Sequence, residues 1–334
     1  MKKEMGIGGL LVIICGVVAI LNPQFLSGAN LRNLSGQIGL YGIFSIGMGI
    51  VIITGGIDLS VGSAFALQGV LLSMMLHQWN WPRPLAALAC VIVLMILGAW
   101  HALFVTKVRL QPFIVTLCGL LLYRGLARSI ARDETKGFGD VDYGWLSAMA
   151  TGRLGPVPMP FVILIVIAII MWVVLHRSVY GRYLYAVGRN EEATRYCGIN
   201  TDRVIGSAYV LSMLLAGIAG ILWAMWTNSI SPSNHGSYYE LYGIAAAVLG
   251  GCSLTGGEGS ILGILLGTAL LQVLQNLVNL LGIPSAYNFA VMGAVILIGA
   301  TLDKLISTRP RGVRWLFAVF ARFMPKQAAR ETAS

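Results

Sequence analysis

Apolar residues of this chain gather into long runs that short polar segments separate. A helix that crosses the hydrocarbon core of a membrane needs about 20 mostly apolar residues, because each residue adds only about 1.5 Å along the axis. Ten runs approach or exceed this length. They lie near residues 6–26, 36–54, 60–76, 85–106, 112–128, 158–176, 204–227, 239–252, 260–281 and 288–306. The pattern predicts an all-α membrane protein, a polytopic bundle of about ten transmembrane helices.

The composition supports this prediction. Hydrophobic residues make up 57% of the 334 residues and charged residues only 11%, less than half of the share usual in soluble domains. Such a chain cannot cover a water-facing surface, so a soluble enzyme, a disordered regulator and a nucleic-acid-binding domain are excluded despite a net charge of +10. The five cysteines and four histidines are scattered without ligand spacing, and we therefore expect no disulfide framework and no metal site.

The basic residues predict the orientation. With a cytoplasmic N-terminus, sixteen of the 23 lysines and arginines fall on the cytoplasmic side, as the positive-inside rule requires. Both termini are then cytoplasmic, with a transmembrane permease domain over 1–310 and a basic cytoplasmic tail over 311–334. The first apolar run could instead be a signal peptide, but its roughly 16 residues exceed the usual apolar length. The longest loops, 129–157 and 177–203, are too short for an ATP-hydrolysing or ligand-capturing domain, which must come from partners.

Two glycine-rich segments interrupt the apolar pattern, GGIDLSVGS at 55–63 and GGCSLTGGEGS at 250–260. Their similarity indicates an internal duplication, and transporters often interrupt helices where the backbone meets a cavity. The span count places both on the cytoplasmic side, which makes the repeat parallel; an inverted repeat would mean that 239–252 is misassigned. The candidate hinge or gate residues are Gly55, Gly56, Asp58, Ser60, Gly62, Gly250, Gly251, Thr255, Gly256, Gly257 and Glu258. No Gly-Lys pair occurs, so the chain lacks an ATP-binding P-loop.

Two isolated ionisable residues have competing interpretations. The carboxylate of Asp58 could cap the backbone amides of a helix that begins at Leu59, or it could serve as a gate or ion-binding group near the membrane. His101, in the fourth predicted span, is interpreted as a buried side chain with satisfied hydrogen bonds rather than as a ligand.

A stripe of amide side chains marks the ninth predicted span. Gln272, Gln275, Asn276 and Asn279 stand at positions i, i+3, i+4 and i+7, which places them on one helical face. Contact between that polar face and lipid would be unfavourable. It could form a hydrogen-bonded seam with another helix, or it could line the path of a neutral, hydroxyl-rich solute. The two interpretations are compatible.

The loop between the sixth and seventh predicted spans contains a short predicted helix. Asn190 suits the N-cap, Glu191 and Glu192 suit the positive helix start, and Gly198 suits the C-terminal stop. About two turns are too small for a domain but can enter a groove on another protein; the alternative is a solvated basic loop. The candidate contact residues are Arg189, Asn190, Glu191, Glu192, Ala193, Thr194, Arg195 and Gly198.

Five motifs in order resemble the ribose-type monosaccharide permeases of bacterial ABC importers. They are GGIDLSVGS at 55–63, QPFIVTL at 111–117 with Arg124-Gly125, GRYLYAVGRNEEATRYCGIN at 181–200, YYELYGIAAAVLGG at 238–251 and SLTGGEGSILG at 253–263. Two positions depart from the family pattern: Tyr242 replaces a usual acidic residue, and Glu258 replaces a usual arginine. Both departures bear on the substrate subtype and on local salt bridges.

The resemblance implies a multi-pass permease subunit in the bacterial inner membrane that imports a ribose-, xylose- or galactose-like sugar and is not itself an enzyme. It implies an ATPase partner that binds ATP and magnesium, so this chain needs no cofactor, and a periplasmic sugar-binding protein. A second permease, identical or paralogous, completes the pathway. The segment 190–198 would be the coupling helix. No nucleic acid is expected as a partner.

Two alternatives remain. An ion-gradient-driven secondary transporter is disfavoured because Asp58, Glu240 and Glu258 are expected near span ends, with no carboxylate in mid-span. A permease for branched amino acids or another small solute shares the general plan, and the sequence does not name the sugar.

Overall fold

The computed structural model describes residues 2–284 and, beyond them, only Tyr287, Ala290, Gly293, Ala294, Leu297 and Thr301. Residues 1–285 form one compact unit, and everything below concerns that unit. Except for a few single positions, the predicted tenth span at 288–306 lies outside the described residues. The predicted tail at 311–334 lies outside them entirely.

Helices account for most of the described unit. The α-helices are α1 Lys2–Leu21, α2 Gly28–Ile53, α3 Val61–Ser73, α4 Arg83–Thr106, α5 Pro112–Ala131, α6 Trp145–Thr151, α7 Met159–Arg177, α8 Val179–Arg189, α9 Glu191–Tyr196, α10 Thr201–Thr227, α11 Tyr239–Leu249 and α12 Ile261–Leu280. A 3₁₀ turn covers Pro23–Leu26, and a π-helical turn, Met74–Gln78, prolongs α3. The short strands are β1 Lys136–Gly137, β2 Arg153–Leu154, β3 Val157–Pro158 and β4 Ser229–Ile230.

Seven of the described helices are long and apolar enough to cross a membrane: α1, α2, α4, α5, α7, α10 and α12. They confirm seven of the ten predicted spans. The predicted span at 60–76 corresponds to α3 together with its π-helical turn, which have 13 and 5 residues. The predicted span at 239–252 corresponds to α11, whose 11 residues are too few to cross the hydrocarbon core alone.

The bundle has two distinct ends. At the sheet end, β1 pairs with β4 and β2 pairs with β3, both antiparallel. At the loop end lie the two glycine-rich segments together with α8 and α9. The Ser260 hydroxyl donates a 2.5 Å hydrogen bond to Glu4, so α1 also begins at the loop end. The N-terminal helix start and the glycine-rich segments therefore share one end, as the predicted topology requires.

Helix α2 forms the centre of the core, and its residues from Gly39 to Ile53 are buried. Small residues let neighbouring helices approach it and one another closely. A side chain at Gly39 would meet the backbone of Pro160, and one at Gly267 would meet the carbonyl of Ala246.

The short helices α3 and α11 begin at the same place inside the bundle. Gly62 and Gly236 lie backbone to backbone there, and Glu240 accepts a hydrogen bond from the Gly62 N–H. From this point α3 runs to the sheet end, where Ser73 donates to the carbonyl of Gly137. Helix α11 runs the other way, to the loop end. Transporters use such interrupted helices where the backbone turns inside the membrane.

Candidate functional site at the loop end

The segment from 179 to 198 forms two helices at the loop end, α8 and α9. Asn190 separates them and caps α9, because its side-chain oxygen accepts a 2.9 Å hydrogen bond from the Ala193 N–H. Gly198 ends the segment with φ +82, a conformation that favours glycine. The predicted short helix and both of its end signals are confirmed. The helix has six residues, and the amphipathic α8 precedes it.

One face of α9 is exposed. Tyr196 is 83% exposed, and Glu192 and Ala193 beside it are also exposed. Thr194 is buried, and its hydroxyl donates a 2.7 Å hydrogen bond back to the Asn190 carbonyl. The helix therefore packs on the bundle through Thr194, and its opposite face is exposed.

An ionic network fixes α9 and the start of α10. Arg109 donates to Glu191 at 2.9 Å and to Asp202 at 2.7 Å. Arg195 donates to Glu191 at 2.6 Å, and Lys107 to Asp202 at 3.0 Å. Networks of several charges hold geometry better than single exposed pairs. The sequence analysis did not assign Lys107, Arg109 and Asp202 to the site, although a basic pair between two spans on the same side was a visible signal.

The two glycine-rich segments meet at this end. The Gly257 N–H donates a 2.8 Å hydrogen bond to the carbonyl of Ile53, the last residue of α2. Gly55, Gly256 and Gly257 have φ angles of +82, +83 and +76. Only glycine adopts this region at little cost, which explains the composition of both segments.

Helix α8 packs against the end of α2 and the second glycine-rich segment. Gly188 lies against the Ile53 carbonyl and the Gly257 N–H so closely that any side chain there would overlap them. We call the contact of Gly55, Gly188, Gly256 and Gly257 the glycine junction. Sequence reasoning missed Gly188, because the residues that it touches are distant in the chain.

Side chains reinforce the glycine junction. The Tyr185 hydroxyl donates a 2.7 Å hydrogen bond to the Gly259 carbonyl, and burial raises the pKa of this phenol, which keeps it a donor. Arg189 lies 3.7 Å from Glu258, with both side chains largely exposed. The family departure at Glu258 thus places an acid beside a basic residue of α8.

The segment after the first glycine pair turns back into the bundle. Asp58 is 1% exposed there and accepts hydrogen bonds from the backbone N–H of Ser60 at 2.9 Å and from its hydroxyl at 2.7 Å. Helix α3 begins at Val61 with Ser60 at the N-cap, so the expectation of a helix starting at Leu59 is wrong. Asp58 stabilises the turn before the helix instead.

A second re-entrant segment approaches from the sheet end and leads to α11. Arg124 of α5 donates to the carbonyls of His235 at 2.7 Å and Pro232 at 3.0 Å and so holds this segment. Glu240, at the start of α11, is 7% exposed. Asp58 and Glu240 stand at helix ends, as expected, before α3 and in the first turn of α11, but both are buried inside the bundle.

Residues 30–300 match the protein family described as "Branched-chain amino acid transport system / permease component". The chain belongs to this permease family. The ribose import permease protein RbsC of Bacillus subtilis is 39% identical over 297 residues, which cover 89% of this chain and 91% of that protein. The probable ABC transporter permease protein y4mJ of Sinorhizobium fredii is 36% identical, with coverage of 92% and 91%. The xylose transport system permease protein XylH of Escherichia coli is 29% identical, with coverage of 89% and 92%.

These matches confirm the resemblance to ribose-type permeases that the motifs indicated. No solved structure matches the chain. The permease is a multi-pass membrane protein, and its glycine junction and α9 both fall within the matched residues. Within the described residues, no group of three His, Cys, Asp or Glu side chains could hold a metal ion.

The amide stripe of the permease does not form one continuous surface. Asn276 exchanges two hydrogen bonds with Asn30 of α2, at 2.7 and 3.0 Å, which makes it part of a helix seam. Gln272 is buried and Asn279 is exposed. A role in the solute path stays a prediction for Gln272, Gln275 and Asn279.

Proposed function

We propose that this permease is the membrane-spanning subunit of an ATP-driven ABC importer that passes a ribose-, xylose- or galactose-like monosaccharide into the cell. The observation that carries the mechanism is the glycine junction, in which α8 contacts the end of α2 and the second glycine-rich segment, and Gly256 of that segment contacts Gly55 of the first. The ribose and xylose permeases among the relatives favour a sugar over a branched amino acid. An ion-gradient-driven transporter has no support among these relatives.

The exposed face of α9 and the family of the chain support the following partners. A separate ATPase, which binds ATP and magnesium, would receive the exposed face of α9 in a groove on its surface. The loop end, both termini and the basic tail would lie in the cytoplasm of a bacterial inner membrane. A periplasmic sugar-binding protein would deliver the sugar to the sheet end, and a second permease copy or paralogue would complete the pathway. The chain itself hydrolyses nothing.

The mechanism is alternating access. ATP binding moves the docked ATPase, and the ionic network makes α9 move as one piece with the start of α10. The glycine junction passes this displacement to Gly55 and Gly256, because its backbone atoms are in direct contact and no flexible side chain lies between them to absorb the movement. The ATPase thereby shifts the population between inward-open and outward-open states.

The test is sugar uptake into proteoliposomes that contain the permease, its ATPase and its binding protein. Glu192→Arg and Ala193→Trp alter the exposed face of α9 without touching the junction. We expect both variants to lose ATPase association and ATP-dependent uptake. Asp140→Arg makes the same charge change on an exposed loop at the sheet end and should retain ATPase association. Uptake that needs no ATPase and follows a proton or sodium gradient would overturn the proposal.

A further inference from the structure

A chain of three buried polar side chains links the first re-entrant segment to α4 and α5. Asp58 and His101 are fully buried, and His101 Nδ1 lies 3.9 Å from Asp58 Oδ2. On its other side, His101 Nε2 lies 2.9 Å from the hydroxyl of Tyr123. Gly119 of α5 makes this approach possible, because a side chain there would collide with His101. The proposed function leaves this group without a role.

The tautomer of His101 is inferred from what satisfies Tyr123. The Tyr123 hydroxyl faces Nε2 and no other acceptor in residues 2–284, so only a tautomer with an unprotonated Nε2 gives this hydroxyl an acceptor. A neutral imidazole has one donor and one acceptor, and its hydrogen must then be on Nδ1. In this tautomer the Nδ1–H of His101 faces Asp58 Oδ2 across a gap of 3.9 Å.

That gap is unusual because neither atom has another partner. Within the described part of the chain, Asp58 Oδ2 and His101 Nδ1 are both buried and without a hydrogen bond. A separation of 3.9 Å is too long for a hydrogen bond, and buried polar atoms that lack one are unfavourable. The other groups that face the pair are Tyr209, whose ring centroid is 6.2 Å from that of His101, and Glu240, which interacts electrostatically with Asp58.

The position of the pair suggests why the gap exists. Only Gly56 and Ile57 separate Gly55 from Asp58, so a displacement at the glycine junction has a short covalent route to Asp58. His101 and Tyr123 stand on α4 and α5, which are separate helices. A shift of about 1 Å would bring Nδ1 within hydrogen-bond distance of Oδ2.

We propose that Asp58 and His101 form a latch, open in this conformation, that closes to a charge-assisted hydrogen bond in the other transport state and so locks the re-entrant segment to α4 and α5. Tyr123 is the positioning residue that fixes the ring and its proton. Closing the latch satisfies two atoms that are unsatisfied here, which makes the two states discrete. This inference rests on the proposed function, because the ATPase supplies the displacement.

The test is ¹⁵N NMR of the histidine-labelled permease bound to its ATPase in nanodiscs, without nucleotide and with trapped ATP. The chain has only four histidines, and the variant His101→Gln identifies the His101 signals. We expect the Nδ1 signal to move between the two nucleotide states in the wild type and to stay fixed in Asp58→Asn. Asp58→Asn keeps an oxygen for the Ser60 turn, so it should fold while ATP-driven uptake falls about tenfold, within the usual range of site coupling.

A matched pair of tyrosine variants separates positioning from general stability. Tyr123→Phe should alter the Nε2 signal and reduce uptake. Tyr143→Phe also removes a buried tyrosine hydroxyl, which donates to the Phe138 carbonyl at the sheet end, and should change neither. Identical His101 signals in both nucleotide states, in a complex whose ATPase is stimulated normally, would overturn the latch alone. An ATPase that never binds the permease would overturn the proposed function and the latch with it.

Discussion

Gly188 of α8 lies directly on the carbonyl oxygen of Ile53, the residue that ends α2. The same carbonyl accepts the Gly257 N–H. One backbone oxygen of α2 therefore contacts both the second glycine-rich segment and the helix that precedes the proposed docking surface. Contacts of this kind allow little relative movement of the two segments, because backbone atoms cannot rotate away as side chains do.

We expect Gly188→Ala to disrupt the junction. Its methyl group would overlap the Ile53 carbonyl, and forced overpacking of this kind costs about 1–3 kcal/mol. Thermal unfolding in nanodiscs should show a lower midpoint, and ATP-driven uptake should fall further than stability alone explains. Gly16→Ala in α1 is the control, since its methyl group would meet nothing within 4 Å. Equal behaviour of the two variants would contradict the role given to the junction.

Arg109→Ala should loosen α9 without changing its exposed face. The substitution removes the ion pairs to Glu191 and Asp202, so the ATPase should bind several-fold more weakly, and added salt should reduce the difference. Arg128→Ala removes a similarly exposed ion pair with Asp133 at the sheet end and should leave ATPase binding unchanged. A loss of binding in both variants would point to a general charge effect instead.

Glu240 should matter for stability through its acceptor atoms. Glu240→Ala leaves the Gly62 N–H unpaired inside the bundle, at a cost of about 1–3 kcal/mol. Glu240→Gln keeps an acceptor and should lose less. The measurement is thermal unfolding of the purified permease, and equal losses for both substitutions would show that charge, rather than the hydrogen bond, is what α3 needs.

The two interpretations of the amide stripe can be separated at Asn276. If its function is the seam, Asn276→Leu should destabilise the permease by about 0.6 kcal/mol, and the added change Asn30→Leu should restore much of the loss, because both partners are then apolar. Uptake should follow stability. A stable double variant that no longer imports sugar would place Asn276 in the solute path.

Local signals predicted the helix α9 well, because its cap at Asn190 and its stop at Gly198 depend only on neighbouring residues. The lengths of the seven long helices likewise follow from their apolar runs. The helices α3 and α11 were predicted as spans, but their common starting point inside the bundle was not, because an apolar run shows that a segment is buried and not where the chain turns back. The burial of Asp58 and Glu240 depends on contacts with α4 and α5, and those contacts arise only in the folded bundle.

The shared starting point of α3 and α11 has a mechanical consequence. The two helices leave the Gly62–Gly236 contact toward opposite ends of the bundle. A rigid tilt about that contact would move their far ends in opposite directions. Widening the bundle at one end would then narrow it at the other. A barrier built on such a pivot is never open to both sides of the membrane at once, and the cell can admit a solute without leaking ions.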